Sequence, residues 1–246
     1  MIASFAPGSA PGQTSAPRVF GITNAAGGIL AGRVAPGELI AIYGLHFGPA
    51  MPISATFSAA GFLPTSLGGV QVRINGISAP LLYVSDTQIN AVAPVELVVG
   101  STSLQMSQSD VSAPDFRLVV DPFAPQVFRY TDGSAIAINQ DGTLNSPTNP
   151  AKIGSTISVF ATGVAFFAGA DGRLAAGRQY LGDSEIHTSI DGRSVPALYT
   201  GASPGMVNGV AEIDFQVTSA QAANGRGNYL VVGGNYSNAF TIFVTQ

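Results

Sequence analysis

Residues 34–50 read VAPGELIAIYGLHFGPA and, after a loop, residues 68–94 read GGVQVRINGISAPLLYVSDTQINAVAP. Between Glu38 and Gly44, Leu39, Ala41 and Tyr43 alternate with Glu38, Ile40 and Ile42, so both faces are largely apolar. A strand covered on both sides has this pattern. Pro36-Gly37 before it and Gly44 after it are turn punctuation. Val70–Ile74 alternates apolar and polar residues. Asn75-Gly76 then supplies the two-residue hairpin turn whose central residues tolerate positive φ. Ala79–Val84 is the returning strand, and Gln88–Val92 is a further strand that Pro94 stops.

The same succession recurs downstream. Residues 152–167 read KIGSTISVFATGVAFF, and residues 184–217 read SEIHTSIDGRSVPALYTGASPGMVNGVAEIDFQV. Asp191-Gly192 stands for Asn75-Gly76, Pro196 for Pro80, Leu198-Tyr199 for Leu82-Tyr83, and Asn208 for Asn90. The offset holds at about 116–118 residues, the period of a duplicated domain rather than of a short solenoid repeat.

Around these two copies the chain divides into three parts. Residues 1–18, opening MIASFAPGSAPGQTSAP, form a Pro/Gly/Ala/Ser-rich linker or arm that can bury little. Residues 19–124 form the first unit, whose further strands begin at Val19 and lie at Ser101–Ser107 and Phe116–Val120. The Asp121-Pro-Phe-Ala-Pro125 stretch is a stiff connector. Residues 125–246 form the second unit, with strands at Ala135–Asn139, Thr156–Phe160, Ile186–Ile190, Ala197–Thr200, Val210–Val217, Tyr229–Val232 and Phe240–Val244. No segment of ten or more residues has capped helical periodicity. The reading is all-β: two tandem β-sandwiches of short, turn-punctuated strands.

Residues 34–94 resemble the IPT/TIG immunoglobulin-like domain through Pro36-Gly37, the strand to Gly44, Phe47-Gly48, VRINGISAP and VSDTQINAVAP. Residues 21–246 also resemble an uncharacterised C-terminal module of large secreted acidobacterial proteins, the Solibacter-type C-terminal domain family. The matching stretches are GITNAA, VAPGELIAIYG, LLYVSDTQINAVAP, INQDGTLNSPTNPAKIG and the ATG that precedes an Asp-Gly loop. The resemblance implies two Ig-like sandwiches of IPT/TIG, E-set type, extracellular placement and an N-terminal partner domain. It implies no activity and no site residues.

Composition narrows the partners. Charged residues are 10% of the chain, against about 25% in a typical soluble domain, so solubility rests on Ser, Thr, Asn, Gln and Gly. Such a surface suits an extracellular or cell-surface module or a stable assembly. The net charge of −4 and the lack of a basic run exclude a phosphate-backbone reader, so no nucleic-acid partner is expected. The absence of cysteine removes disulfides and thiolate metal sites. No apolar run reaches the roughly 18 residues of a transmembrane segment.

Candidate chemistry is sparse. His46 and His187 are the histidines, with no metal-ligand spacing between them. Gly182-Asp183-Ser184 has the look of a hydrolase nucleophile segment but lacks the α/β scaffold, and His187 is only three residues on in what reads as the same strand. Asn139, Asp141 and Asn145 are candidate calcium ligands on alternating loop positions; their competing reading is ordinary turn chemistry. Asp171, Asp183 and Glu185 form a second, weaker acidic set. The candidate binding residues are Phe166, Phe167, Tyr180 and Tyr236, aromatics suited to sugar rings or a partner surface, with Tyr199 also considered. No catalytic residue and no cofactor are expected. The sequence therefore reads as a non-catalytic extracellular interaction or structural module, the C-terminal part of a larger secreted or surface protein. It would meet a protein or surface glycan, or another copy of itself, through the loops Gly48–Ser66 and Ala165–Tyr180 or through sheet edges. The alternatives are a self-assembling surface or filament subunit and a carbohydrate-binding appendage of a secreted enzyme.

Overall fold

The computed structural model describes residues 15–28, 32–164, 171–181, 186–218 and 228–246. Its regular elements there are all strands. In the first unit two sheets face each other. One runs, in spatial order, Arg18–Asn24, Leu39–Leu45, Gln88–Val92, Leu81–Val84 and Ile53–Ser54. The other runs Arg33–Val34, Phe116–Val120, Gly100–Gln108, Val70–Ile74 and Ser66–Leu67. Val70, Val72 and Ile74 point inward while Gln71 and Arg73 point out, the alternation the sequence requires. Ile22, Ile40, Ile42, Phe47, Leu81, Ile89, Leu104 and Met106 fill the space between the sheets.

The second unit repeats the plan with one strand fewer breaks. In the first unit the chain after Asn75-Gly76 forms Ile77–Ser78 and then, past Pro80, Leu81–Val84. In the second, the equivalent chain is one strand, Arg193–Ala202, whose beginning pairs with Ile186–Ile190 and whose end pairs with Ala211–Gln216. It thereby passes from one sheet to the other. Both copies carry a register shift at the same place, between Leu81 and Tyr83 and between Ala197 and Tyr199. Asn75 and Asp191 take positive φ (52° and 50°), followed by positive-φ glycines at 76 and 192, as their hairpin turns demand. The second core comprises Val127, Ile157, Val159, Ile213, Phe215, Leu230, Phe240 and their neighbours and shares no residue with the first.

Three expectations need correction. The strand expected at Phe240–Val244 is only Val244–Thr245, paired in parallel with Ala151–Lys152; Phe240 and Ile242 instead turn into the core. The first strand begins at Arg18, inside the segment read as linker. The counterpart of Asn90 is Asp214, not Asn208. Asn90 pairs with Tyr83 and with Ala41, and Asp214 pairs with the equivalent Tyr199 and Ser158. The second copy has a longer hairpin at this point, and Asn208 lies within it.

That longer hairpin meets the first unit. Gly209 takes φ +123°, and a Cβ there would lie 2.4 Å from the Leu39 Cδ1 and 2.8 Å from the Gly37 carbonyl, so only glycine allows the approach. The loops Gly48–Ser66 and Ala165–Tyr180, read as free partner-binding loops, pair with each other where they are described. Leu63 N donates to Gly172 O (2.9 Å), Leu174 N donates to Gly61 O (2.8 Å), and Arg173 stacks 5.7 Å from the Phe62 ring. Leu39, Leu63, Val92, Phe160, Val207 and Val210 form a third apolar cluster across this joint. The Leu39 strand is apolar on both faces because one lines the core and the other reaches the joint. Leu39 N also donates to Thr162 Oγ1 (2.8 Å), and Asn24 Nδ2 donates to Ala124 O (3.0 Å).

Candidate functional site

In the strand Ala211–Gln216, Ile213 and Phe215 enter the core, which leaves Glu212 and Asp214 on the outer face. Cross-strand pairing sets Asp214 beside Ser158 on one side and Tyr199 on the other. The short strand Gln179–Tyr180 pairs with Gly201 and Ala202 and brings Arg178 over the same face. The Arg178 guanidinium lies 3.6 Å from the Tyr199 ring centroid, donates to Asp214 Oδ2 at 2.5 Å and sits 3.5 Å from Glu212 Oε1. Ser158 Oγ donates to the other Asp214 oxygen at 2.6 Å.

Solvent access grades across this set. The Asp214 and Glu212 side chains keep 11% and 12% of their exposure and that of Arg178 keeps 47%, so the carboxylates form the floor and the guanidinium the rim. Its hydrogen bond to Asp214 holds Arg178 above its usual range, firmly charged. Burial raises the Tyr199 hydroxyl, which donates to Ala202 O at 2.7 Å. Tyr180 is 56% exposed, with its ring centroid 6.2 Å from that of Tyr199 and tilted by 47°. The result, among the described residues, is a half-exposed Tyr180 ring beside a charged, hydrogen-bonding flank in which Arg178 covers the Tyr199 ring.

The other sequence candidates fall elsewhere. Tyr236, 64% exposed, packs edge-on against Tyr229 (5.8 Å) on the strand pair at the far edge of the second unit, remote in sheet order from Tyr180. Phe166, Phe167 and Gly182-Asp183-Ser184 lie outside the described residues, as do Asp183 and Glu185 of the second acidic set. Asp171 sits at the joint, where its carboxylate accepts from Val95 N at 3.1 Å; burial and the neighbouring Glu96 charge raise its pKa to about 6. His46 is an exposed turn residue with φ 58°. Among the described residues no group of three or more His, Cys, Asp or Glu converges, and no helix is long and apolar enough to cross a membrane.

Asn139 and Asp141 line a cleft of about 390 Å³ and Asn145 bonds to Asn139, with one side-chain oxygen of each of the three engaged within the protein. Asp141 Oδ1 accepts from Thr143 N and Oγ1 (3.0 and 2.5 Å), which holds its carboxyl below the usual range. Asn139 Oδ1 accepts from Asn145 Nδ2 (3.0 Å). Asn145, 2% exposed, also donates to Phe243 O and accepts from Phe243 N, both at 2.8 Å. These bonds make a turn latched to Phe243, just before the last strand, and match the ordinary turn chemistry that competes with the calcium reading. Asn145→Ala is expected to cost about 1–3 kcal/mol, since it leaves Phe243 N without this acceptor and Asn139 Oδ1 without this donor, while Phe243 O keeps its bond from Ala151 N. A chelator is expected to leave the melting temperature unchanged. Urea titrations and melts with and without EDTA check both.

Tyr180 and Tyr199 stand out in the sequence, but the charged set around Arg178 does not. Arg178, Tyr199, Glu212 and Asp214 are far apart in sequence and form no motif. The one local sign is Glu212 and Asp214 alternating with core residues inside a strand.

No protein-family model and no curated protein matches the chain. Among solved structures it is similar to a surface glycan-binding protein of Prevotella bryantii, at 13% identity over 92% of this chain and 42% of that one, with TM-score 0.30. It is similar to a Bacteroides ovatus protein from a mixed-linkage glucan utilization locus, solved with a mixed-linkage heptasaccharide (11% identity, 88% and 44% coverage, TM-score 0.33). A third is the gamma-CGTase of alkalophilic Bacillus clarkii (12% identity, 94% and 28% coverage, TM-score 0.32). The chain spans less than half the length of each. These distant likenesses decide nothing about what it binds.

Proposed function

We propose that the chain is a non-catalytic binding module of two Ig-like sandwiches, working at the cell exterior as part of a larger secreted or surface protein of the Solibacter-type family, and that the Tyr180 face binds a saccharide. The observation that carries this is the half-exposed Tyr180 ring beside Tyr199, flanked by Arg178 and Glu212. A sugar ring offers apolar C–H faces to an aromatic platform and hydroxyls to charged donors and acceptors at its edge. The chain's low charge supports the extracellular placement. Native gels cast with a panel of neutral polysaccharides test the reading. Retardation by at least one is expected, with Tyr180→Ala weakening it about tenfold or more. Tyr236→Ala, on the other sheet, is expected to leave it unchanged. Equal retardation of wild type and Tyr180→Ala sinks the assignment of the face.

Self-association is the second reading. It is favoured by the exposure of Met51 (81%), Val98 (76%) and Val99 (59%). Light scattering behind size exclusion, with a monomer at every concentration, removes it.

A further inference from the structure

The duplication supplies an internal comparison for the charged set. Ala41 lies opposite Asn90 as Ser158 lies opposite Asp214. Tyr43 lies opposite Gln88 as Phe160 lies opposite Glu212. Tyr83 pairs with Asn90 just past the register shift, as Tyr199 pairs with Asp214. The first unit thus keeps the tyrosine and replaces both carboxylates by amides, and Gln88 Nε2 donates to Asn90 Oδ1 at 2.8 Å. The framework therefore closes this face with neutral side chains. Placing two largely buried carboxylates and a guanidinium at the same positions costs desolvation that the fold does not require.

We propose that the charged set in the second unit selects the ligand of the Tyr180 face by charge, accepting neutral saccharides and rejecting those that carry uronate carboxylates. This rests on the reading of that face as a saccharide platform. One guanidinium faces two carboxylates, a formal charge of −1 for the set. Arg178 is already paired with Asp214 at 2.5 Å and lies 3.5 Å from Glu212, so a ligand carboxylate would compete with two resident carboxylates for the one guanidinium. A uronate on the tyrosine platform would meet the Glu212 charge in a partly desolvated place. At a separation of about 6 Å such like charges weaken binding by roughly tenfold to a hundredfold. Neutral hydroxyls meet no such penalty and donate to Glu212 while accepting from the rim of Arg178.

The first unit also shows which substitutions the fold accepts: Gln at the position of Glu212 and Asn at that of Asp214. The test uses the whole chain in calorimetric titrations at physiological salt, with neutral mixed-linkage β-glucan and arabinoxylan oligosaccharides against oligogalacturonate and oligomannuronate. Wild type is expected to bind at least one neutral probe about tenfold or more tightly than either uronate probe. The double variant Glu212→Gln/Asp214→Asn releases Arg178 and turns the local charge to +1. It is expected to narrow or reverse that preference, and Glu212→Gln alone to narrow it. Uronates binding wild type as tightly as neutral probes, or an unmoved preference in both variants, overturns the charge selection while leaving the saccharide reading standing. Failure of wild type to bind any probe overturns the saccharide reading and this inference together.

Discussion

Glu38→Gln is expected to raise stability by about 5 kcal/mol at pH 9 while changing it little at pH 4. Glu38 is 1% exposed, and its Oε2 accepts from Ala35 N at 2.6 Å. Burial pushes its pKa from 4.5 to about 8, against the lowering effect of the Ala35 amide and with a further push from Asp121. The folded state therefore holds a proton that the unfolded chain has released. The stability linked to that proton is complete below about pH 4.5 and is lost as pH rises through about 8. A shift of this size corresponds to roughly 5 kcal/mol. Glutamine keeps an acceptor for Ala35 N and has no proton to lose, so the slope disappears. Urea titrations from pH 4 to 10 measure it. A wild-type midpoint that stays flat between pH 5 and 9 refutes the assignment. Asp171, raised to about 6 chiefly by burial and next by Glu96, adds a separate loss at lower pH, between about 4 and 6, and that step is expected to persist in the Glu38 variant.

Phe47→Ala is expected to cost about 3–5 kcal/mol, the range for emptying a fully buried aromatic site. Phe47 is 0% exposed in the first core. His46, at φ 58°, turns the chain so that the ring enters between the sheets. Gly44 lies beneath it: a Cβ there would be 2.3 Å from Phe47 Cζ and 2.0 Å from Arg18 O. The ring and the glycine therefore fix where the edge strand Arg18–Asn24 runs. Because the two cores share no residue, calorimetry of the variant is expected to show the first unit melting ahead of the second. A melt indistinguishable from wild type, or Phe47→Leu costing as much as alanine, contradicts the role given to the ring.

The strands, their inward faces and the hairpin turns were legible in the residues because each depends on a local rule. Alternation at Val70–Ile74 sets a face by the pleat, and Asn75-Gly76 and Asp191-Gly192 set a turn by backbone sterics. The duplication was legible for the same reason, since each copy repeats the local signals in order. The alignment slipped only at Asn208, where a longer hairpin carries no pattern of its own. The self-satisfied turn around Asn145 was half legible: the residue types showed, but Phe243, almost a hundred residues on, decided what they bond.

By itself, then, the sequence determined an all-β chain of two like halves and which residues fill their interiors, since burial follows from side-chain type and pleat. Only the tertiary structure decided that the two long loops meet each other across the joint and that Arg178 lies over Tyr199 between Glu212 and Asp214. Those contacts depend on strand order, on the register shift before Tyr199 and on the path of the strand that changes sheets. Such features are fixed when distant segments pack, and no short stretch of residues encodes them.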